Sequence, residues 1–115
     1  MSPGVASLEG TAWRLSVTPD KDAKKQGEKP FSDTLTITEG LVTFSACAKH
    51  GFLPSSYSAA KVEERWAFKT NQVSPTEGRI VWIAKIEGRT IQGKMVWAKP
   101  DGTLFNYTFT GTQTS

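Results

Sequence analysis

The sequence predicts an all-β protein: a single eight-stranded antiparallel up-and-down barrel with a short helix between strands one and two. Three observations carry this reading. Short stretches of alternating apolar and polar residues recur along the 115-residue chain, the period of a strand with one buried face. Pairs of these stretches are joined by minimal turns, Glu39-Gly40, Glu63-Glu64 and Glu87-Gly88. No helical pattern is long enough to cover a sheet. Eight strands in a meander can pair the first with the last, which removes both free edges.

The stretch from Gly78 to Gly111 organises the rest. It reads as three strands with two turns. Taking Glu87-Gly88 as the central residues of a two-residue loop pairs Ala84 with Ile91, Trp82 with Gly93 and Ile80 with Met95. A three-residue loop over Pro100-Asp101-Gly102 pairs Trp97 with Phe105, Met95 with Tyr107 and Gly93 with Phe109. Directly opposed residues point to one side of a sheet. Both hairpins therefore bury the same face of the middle strand, and Gly93 falls between Trp82 and Phe109.

In chain order, strand one spans Leu8–Val17, with Trp13, Leu15 and Val17 alternating against Arg14 and Ser16. Thr18 is the expected helix N-cap, Pro19 the first helical residue and Gly27 the stop, giving about two turns. Strands two and three are Asp33–Thr38 and Leu41–Ala46, pairing Ile37 with Val42 and Leu35 with Phe44. Cys47 to Phe52 reads as one helical turn ended by Gly51. Strands four and five are Ser56–Lys61 and Arg65–Thr70, and Asn71–Glu77 reads as a polar loop. The whole chain, 1–115, forms one domain, with residues 1–7 expected as a flexible tail.

Composition narrows the function classes. No run is long and apolar enough to span a membrane as a helix. The start lacks the basic and apolar regions of a signal peptide, so the chain is either cytosolic or a mature exported form, with the periplasmic or secreted alternative favoured. One cysteine excludes an internal disulfide. The net charge of +3 is mild, and Lys21, Lys24, Lys25 and Lys29 are interleaved with Asp20, Asp22 and Glu28, which reads as a solvated loop. Nucleic acid is not an expected partner, because the aromatics fall on the inner face rather than on an exposed stacking surface. Oligomeric state stays open.

In a meander, alternate loops share an end. One end holds the three minimal turns. The other holds the 18–32 segment, the 47–54 segment, the 71–77 loop and the Pro100 turn, and long loops on a rigid scaffold are where binding usually resides. The mouth is expected there, with 18–32 as a lid. The expected ligand-binding residues are Val17, Leu35, Phe44, Tyr57, Phe68, Ile80, Met95, Trp97, Phe105 and Tyr107, around a small, mostly apolar ligand. Tyr57, Tyr107 and Trp97 carry the polar atoms that would orient it. An eight-stranded barrel is also narrow enough to be filled by its own side chains. A filled core would leave the alternative, a protein-interaction or assembly module with Val81, Ile83 and Val96 on its outer contact face.

Cys47 and His50 sit three apart, but two ligands do not complete a metal site, and a structural cysteine beside a surface histidine is the plainer reading. One histidine and scattered acids give no nucleophilic triad, and no phosphate loop or dinucleotide fingerprint is present. No enzymatic activity and no cofactor are expected. Asp33 reads as a carboxylate that caps a strand or binds loop amides.

The opening Leu8-Glu9-Gly10-Thr11-Ala12-Trp13-Arg14-Leu15 resembles the start of lipocalin-like, calycin-type barrels, in which a Gly-x-Trp motif begins strand one and the Trp closes the floor. Pro19-Asp20, Lys29-Pro30-Phe31, Asp33-Thr34-Leu35-Thr36, Gly51-Phe52, Tyr57 and the closing Thr-Phe-Thr-Gly at 108–111 extend the likeness to small uncharacterised bacterial proteins of this type. The resemblance implies a barrel that binds a small, mostly apolar molecule. Here the spacing is Gly10-x-x-Trp13, and no arginine follows Arg89. The lid resembles that of fatty-acid-binding proteins, whose carboxylate-binding Arg-x-Tyr has no counterpart before Tyr107.

Overall fold

A computed structural model describes residues 8–49 and 51–114. Residues 1–7, His50, Ser115 and the Cys47 side chain lie outside this description, and with them the expected tail and the Cys47–His50 pair. Eight strands run in sequence order around a closed antiparallel barrel, with the first paired to the last. They are β1 (Thr11–Pro19), β2 (Phe31–Thr38), β3 (Leu41–Phe44), β4 (Ser55–Val62), β5 (Arg65–Ser74), β6 (Gly78–Glu87), β7 (Thr90–Ala98) and β8 (Leu104–Gln113). Helix α1 (Lys21–Lys25) lies between β1 and β2, and α2 (Ser45–Ala48) follows β3. Neither helix is long enough to cross a membrane.

The expected fold class holds, and several local readings change. Helix α1 is capped by Asp20, whose side chain accepts from the Ala23 N–H at 2.8 Å. Thr18 and Pro19 are instead the last residues of β1, paired with Thr108 and Tyr107 of β8. Barrel closure thus claims the residues that read as a helix start. β3 stops at Phe44 because the chain turns into α2, where the buried Asp33 carboxylate accepts from Ala46 N at 2.8 Å and also from Thr34 N. β5 continues to Ser74, through most of the stretch expected as a loop. Its inward residues there are Gln72 and Ser74 and its outward residues Asn71 and Val73, and polar side chains on the buried face hide a strand from pattern reading.

The β2–β3 register is as expected, with Ile37 opposite Val42 and Leu35 opposite Phe44. Glu63-Glu64 is a two-residue loop between the paired Val62 and Arg65, with Glu63 at φ 59°. The β7–β8 pairs are also as expected. The β6–β7 register is shifted by two residues from the expected one. Glu87 pairs with Thr90, so the loop is Gly88-Arg89, and Ile86 meets Ile91, Ala84 meets Gly93 and Trp82 meets Met95. Gly88, at φ 62°, occupies the first central position, the glycine position of a II′ hairpin turn. A two-residue shift preserves which face is buried, so the core composition is unaffected.

Gly93 now lies between Ala84 and Phe109. A Cβ built there would sit 2.0 Å from the Ile83 carbonyl oxygen and 2.7 Å from the Ala84 Cα, both backbone atoms that cannot rotate away. Glycine lets β6 and β7 bend this closely, which is how a small barrel turns a corner. Replacing Gly93 by Ala is expected to cost at least about 2 kcal/mol, by overpacking against fixed backbone. Urea denaturation checks this; an unchanged midpoint would show that the corner does not depend on the missing side chain.

Candidate functional site

The interior was the expected site. A void large enough for a ligand leaves accessible surface on the side chains that wall it. Trp13, Val17, Leu35, Ile37, Val42, Gln72 and Trp82 have 0% of theirs exposed, and Phe44, Phe68, Ile80, Met95 and Tyr107 no more than 2%. The space is taken by the side chains themselves. The Phe44 and Trp82 rings are stacked with centroids 3.8 Å apart and planes 6° from parallel. Phe109 meets Trp82 edge-on, with ring centroids 5.2 Å apart.

The mouth-side loops are closed onto this core. The Asp20 N–H bonds to the Asn106 carbonyl at 2.9 Å, fixing the start of α1 to β8. Ala23 is buried, the Tyr107 hydroxyl donates to the Glu28 carboxylate, and Phe31 packs edge-on against Tyr107. On the other side, Phe52 is buried against Trp97, whose indole N–H donates to the Glu77 carbonyl at 2.7 Å. Lys99 caps the Trp97 and Phe105 rings at 4.7 and 4.6 Å, the placement of a cation–π contact. Met95, Trp97, Phe105 and Tyr107 are thus gathered near the mouth, and each is already in contact with protein.

Tyr57 and Phe68 lie elsewhere than expected. Their rings are 5.6 Å apart, but the Tyr57 hydroxyl donates to Glu9, which also accepts from the Gly40 N–H. Both contacts are at the tight-turn end. There Leu8 and Trp13 are buried and form the floor, with the Trp13 indole N–H donating to Thr11 Oγ1 at 3.0 Å and Thr11 donating to the Leu8 carbonyl at 2.6 Å. Trp13 therefore lies at the floor of the barrel.

Pattern reading missed the polar row on the inner face of β5. Thr70, Gln72 and Ser74 are all buried. Thr70 donates to the Ser56 carbonyl and bonds the Ser55 hydroxyl, and Ser74 Oγ accepts from the Thr76 and Glu77 N–H groups. Gln72 Oε1 accepts the Trp82 indole N–H at 2.9 Å, which fixes the amide's orientation. Its Nε2 then has no acceptor, a cost of about 1–3 kcal/mol for a buried donor.

The concavities described lie on the outside. An open groove of about 900 Å³ runs over the solvent-facing side chains of the tight-turn half, including Arg14, Ser16, Ala60, Val62, Arg65, Ala67, Lys85, Glu87, Gln92 and Thr110. Arg65 pairs with Glu87 at 3.2 Å in this groove. A smaller recess of about 270 Å³ covers Ser56–Ser58 and Lys69–Asn71 on β4 and β5. Beside it the barrel wall is thin: β3 meets β4 only through Leu41–Ser56 and Val42–Ser55. From Ser58 to Val62, β4 is paired with β5 but has no strand on its other side among the described residues. All five residues, Ser58, Ala59, Ala60, Lys61 and Val62, are exposed.

Compared with protein-family models, curated proteins and solved structures, the chain has no significant match.

The Glu9–Tyr57 contact generates a pH prediction. The hydroxyl of Tyr57, followed by the Gly40 N–H, holds the Glu9 carboxyl below its ordinary range. Desolvation, and then the bond to Glu9, push the Tyr57 hydroxyl up to about 12. A lowered carboxyl contributes stability above its unfolded value and loses it as pH falls through the folded one. A raised phenol contributes below its unfolded value and loses that as pH rises through about 12. Tyr57→Phe should flatten both limbs of the stability–pH curve, and Glu9→Gln the acid limb especially. Thermal melts across pH check this; acid and alkaline limbs identical to those of the parent would refute the latch.

Proposed function

We propose that this chain is a non-enzymatic protein-interaction module, a solid barrel that works through its outer surface. The observation that supports this reading is the packing of the interior: Val17, Leu35, Phe44, Phe68, Ile80, Met95 and Tyr107, expected to wall a pocket, are no more than 2% exposed, and the Phe44 ring stacks on Trp82. Where the inside is full, recognition falls to the outside. The outer groove, walled by β1, β2 and β4 to β8, and the flank of β4 that no strand covers among the described residues offer shape, charge and backbone there. The groove combines a largely apolar wall with charge, Arg14 and Lys85 standing beside the Arg65–Glu87 pair, a mixture like that of protein–protein contact surfaces.

A second reading, binding of a small, mostly apolar ligand near the mouth, draws support from Gln72. Its Nε2 is a buried donor lacking an acceptor, and a ligand that parted α1 from the 51–54 segment would supply one. Val17, Leu35, Phe44, Ile80, Met95, Trp97, Phe105 and Tyr107 would then line the opened space, and Tyr57 and Phe68 would lie toward its floor.

Native mass spectrometry on protein purified without denaturation separates the two. The interaction-module reading predicts the bare chain mass both before and after the same sample is denatured. A small molecule held at stoichiometric level and released by denaturation would overturn it in favour of the second reading.

A further inference from the structure

We propose that the open flank of β4, Ser58 to Val62, is a strand-addition site for an extended peptide with basic residues at both ends. The inference rests on the interaction-module reading and names the mode and the partner.

An antiparallel strand directs alternate N–H and C=O groups to each side. On β4 one set is satisfied by β5, from Tyr57–Thr70 to Val62–Arg65. The other set meets β3 only at Ser55 and Ser56. Beyond that point the chain of β3 turns back into β2, so among the described residues no strand lies alongside Ser58–Val62. Unpaired backbone on a strand flank is a template for another strand. The side chains on this one are mostly small, Ser58, Ala59 and Ala60, and leave room for it.

Charge selects the occupant. At one end of the lane stand Glu9, tied to Tyr57 and Gly40, and Glu39 of the β2–β3 turn. At the other end is the Glu63-Glu64 turn. All four carboxylates are exposed, while Lys61 lies between them with its ammonium 5.9 Å from the Trp66 ring centre. A peptide with lysine or arginine at both ends matches this pattern. A second copy of the chain does not. Antiparallel pairing of two β4 flanks about Ala60 brings the Glu63 of one copy to Tyr57 and Glu9 of the other, and pairing about Lys61 sets two lysines directly opposite.

The probe is acetyl-Lys-Thr-Val-Thr-Val-Lys-amide, titrated into isotopically labelled full-length chain and followed by amide chemical shifts and hydrogen exchange. Saturable shifts centred on Ser58–Val62, with exchange protection at alternate residues there, are expected. Methylating alternate peptide nitrogens of the probe should abolish binding. Glu39→Lys combined with Glu63→Lys, both exposed turn positions, should weaken it by roughly tenfold, the size expected of two exposed ion pairs. Absence of shifts at Ser58–Val62 up to millimolar peptide overturns the inference. Shifts confined to the groove around Arg14 and Lys85 also overturn it, while leaving the interaction-module reading standing. Protection of Ser58–Val62 that grows with protein concentration and without peptide would make a second copy the occupant and overturn it too. Failure of the broader reading shows differently, as a small molecule released in the mass measurement.

Discussion

The flat contact between Phe44 and Trp82, with Phe109 edge-on to the indole, is the constraint on which this barrel depends. An eight-stranded barrel of this kind has an interior about one layer of side chains wide. Placing an indole and a phenyl face to face across it uses that width. The strands must then bend tightly around the rings, and Gly93 lets them do so, since a single methyl there would meet the backbone of β6. The indole N–H must be satisfied where water cannot reach, and Gln72 does this from β5. The same choice leaves the Gln72 amide nitrogen without an acceptor. Core, corner and polar row are thus consequences of one packing decision.

Much of the barrel was legible in the chain because antiparallel sheets write their faces into the sequence. Turn spacing located the strands, and parity placed Leu15, Val17, Leu35, Phe44, Trp82, Met95 and Phe109 inside. Parity is forgiving: the β6–β7 register is two residues from the one expected, and every side chain still faces the side it should. Gly88 read as the second central residue of its turn and is the first. Both placements allow a positive φ, and only the pairing of Glu87 with Thr90 distinguishes them.

What resisted reading has a common cause: tertiary partners that outrank local pattern. Pro19 looks like a helix start, yet β8 claims it as a strand residue. Gln72 and Ser74 look like loop residues, yet they are buried in a strand, because β6 pairs with them across the hairpin and the Trp82 indole and the Thr76 and Glu77 amides bond their side-chain oxygens. Tyr57 reads as one of the ligand-binding residues of the mouth, but the short β3 and the stagger between it and β4 carry Tyr57 to the floor, against Glu9. The thin β3–β4 seam has no sequence signature beyond the brevity of β3. The filled interior could not be read either, since the aromatics that line a pocket are also those that fill one.

A solid barrel moves the question of function from what it encloses to what it presents. Its long hairpins reach past the β2–β3 turn, and the flank they expose carries backbone, small side chains and a defined charge order. The most direct test of the filled interior is xenon, which enters dry apolar cavities. Methyl chemical shifts recorded under xenon pressure should show no saturable change at Val17, Leu35, Ile37, Val42 and Ile80. Saturable shifts clustered on those methyls would reveal a cavity inside the barrel and contradict the account.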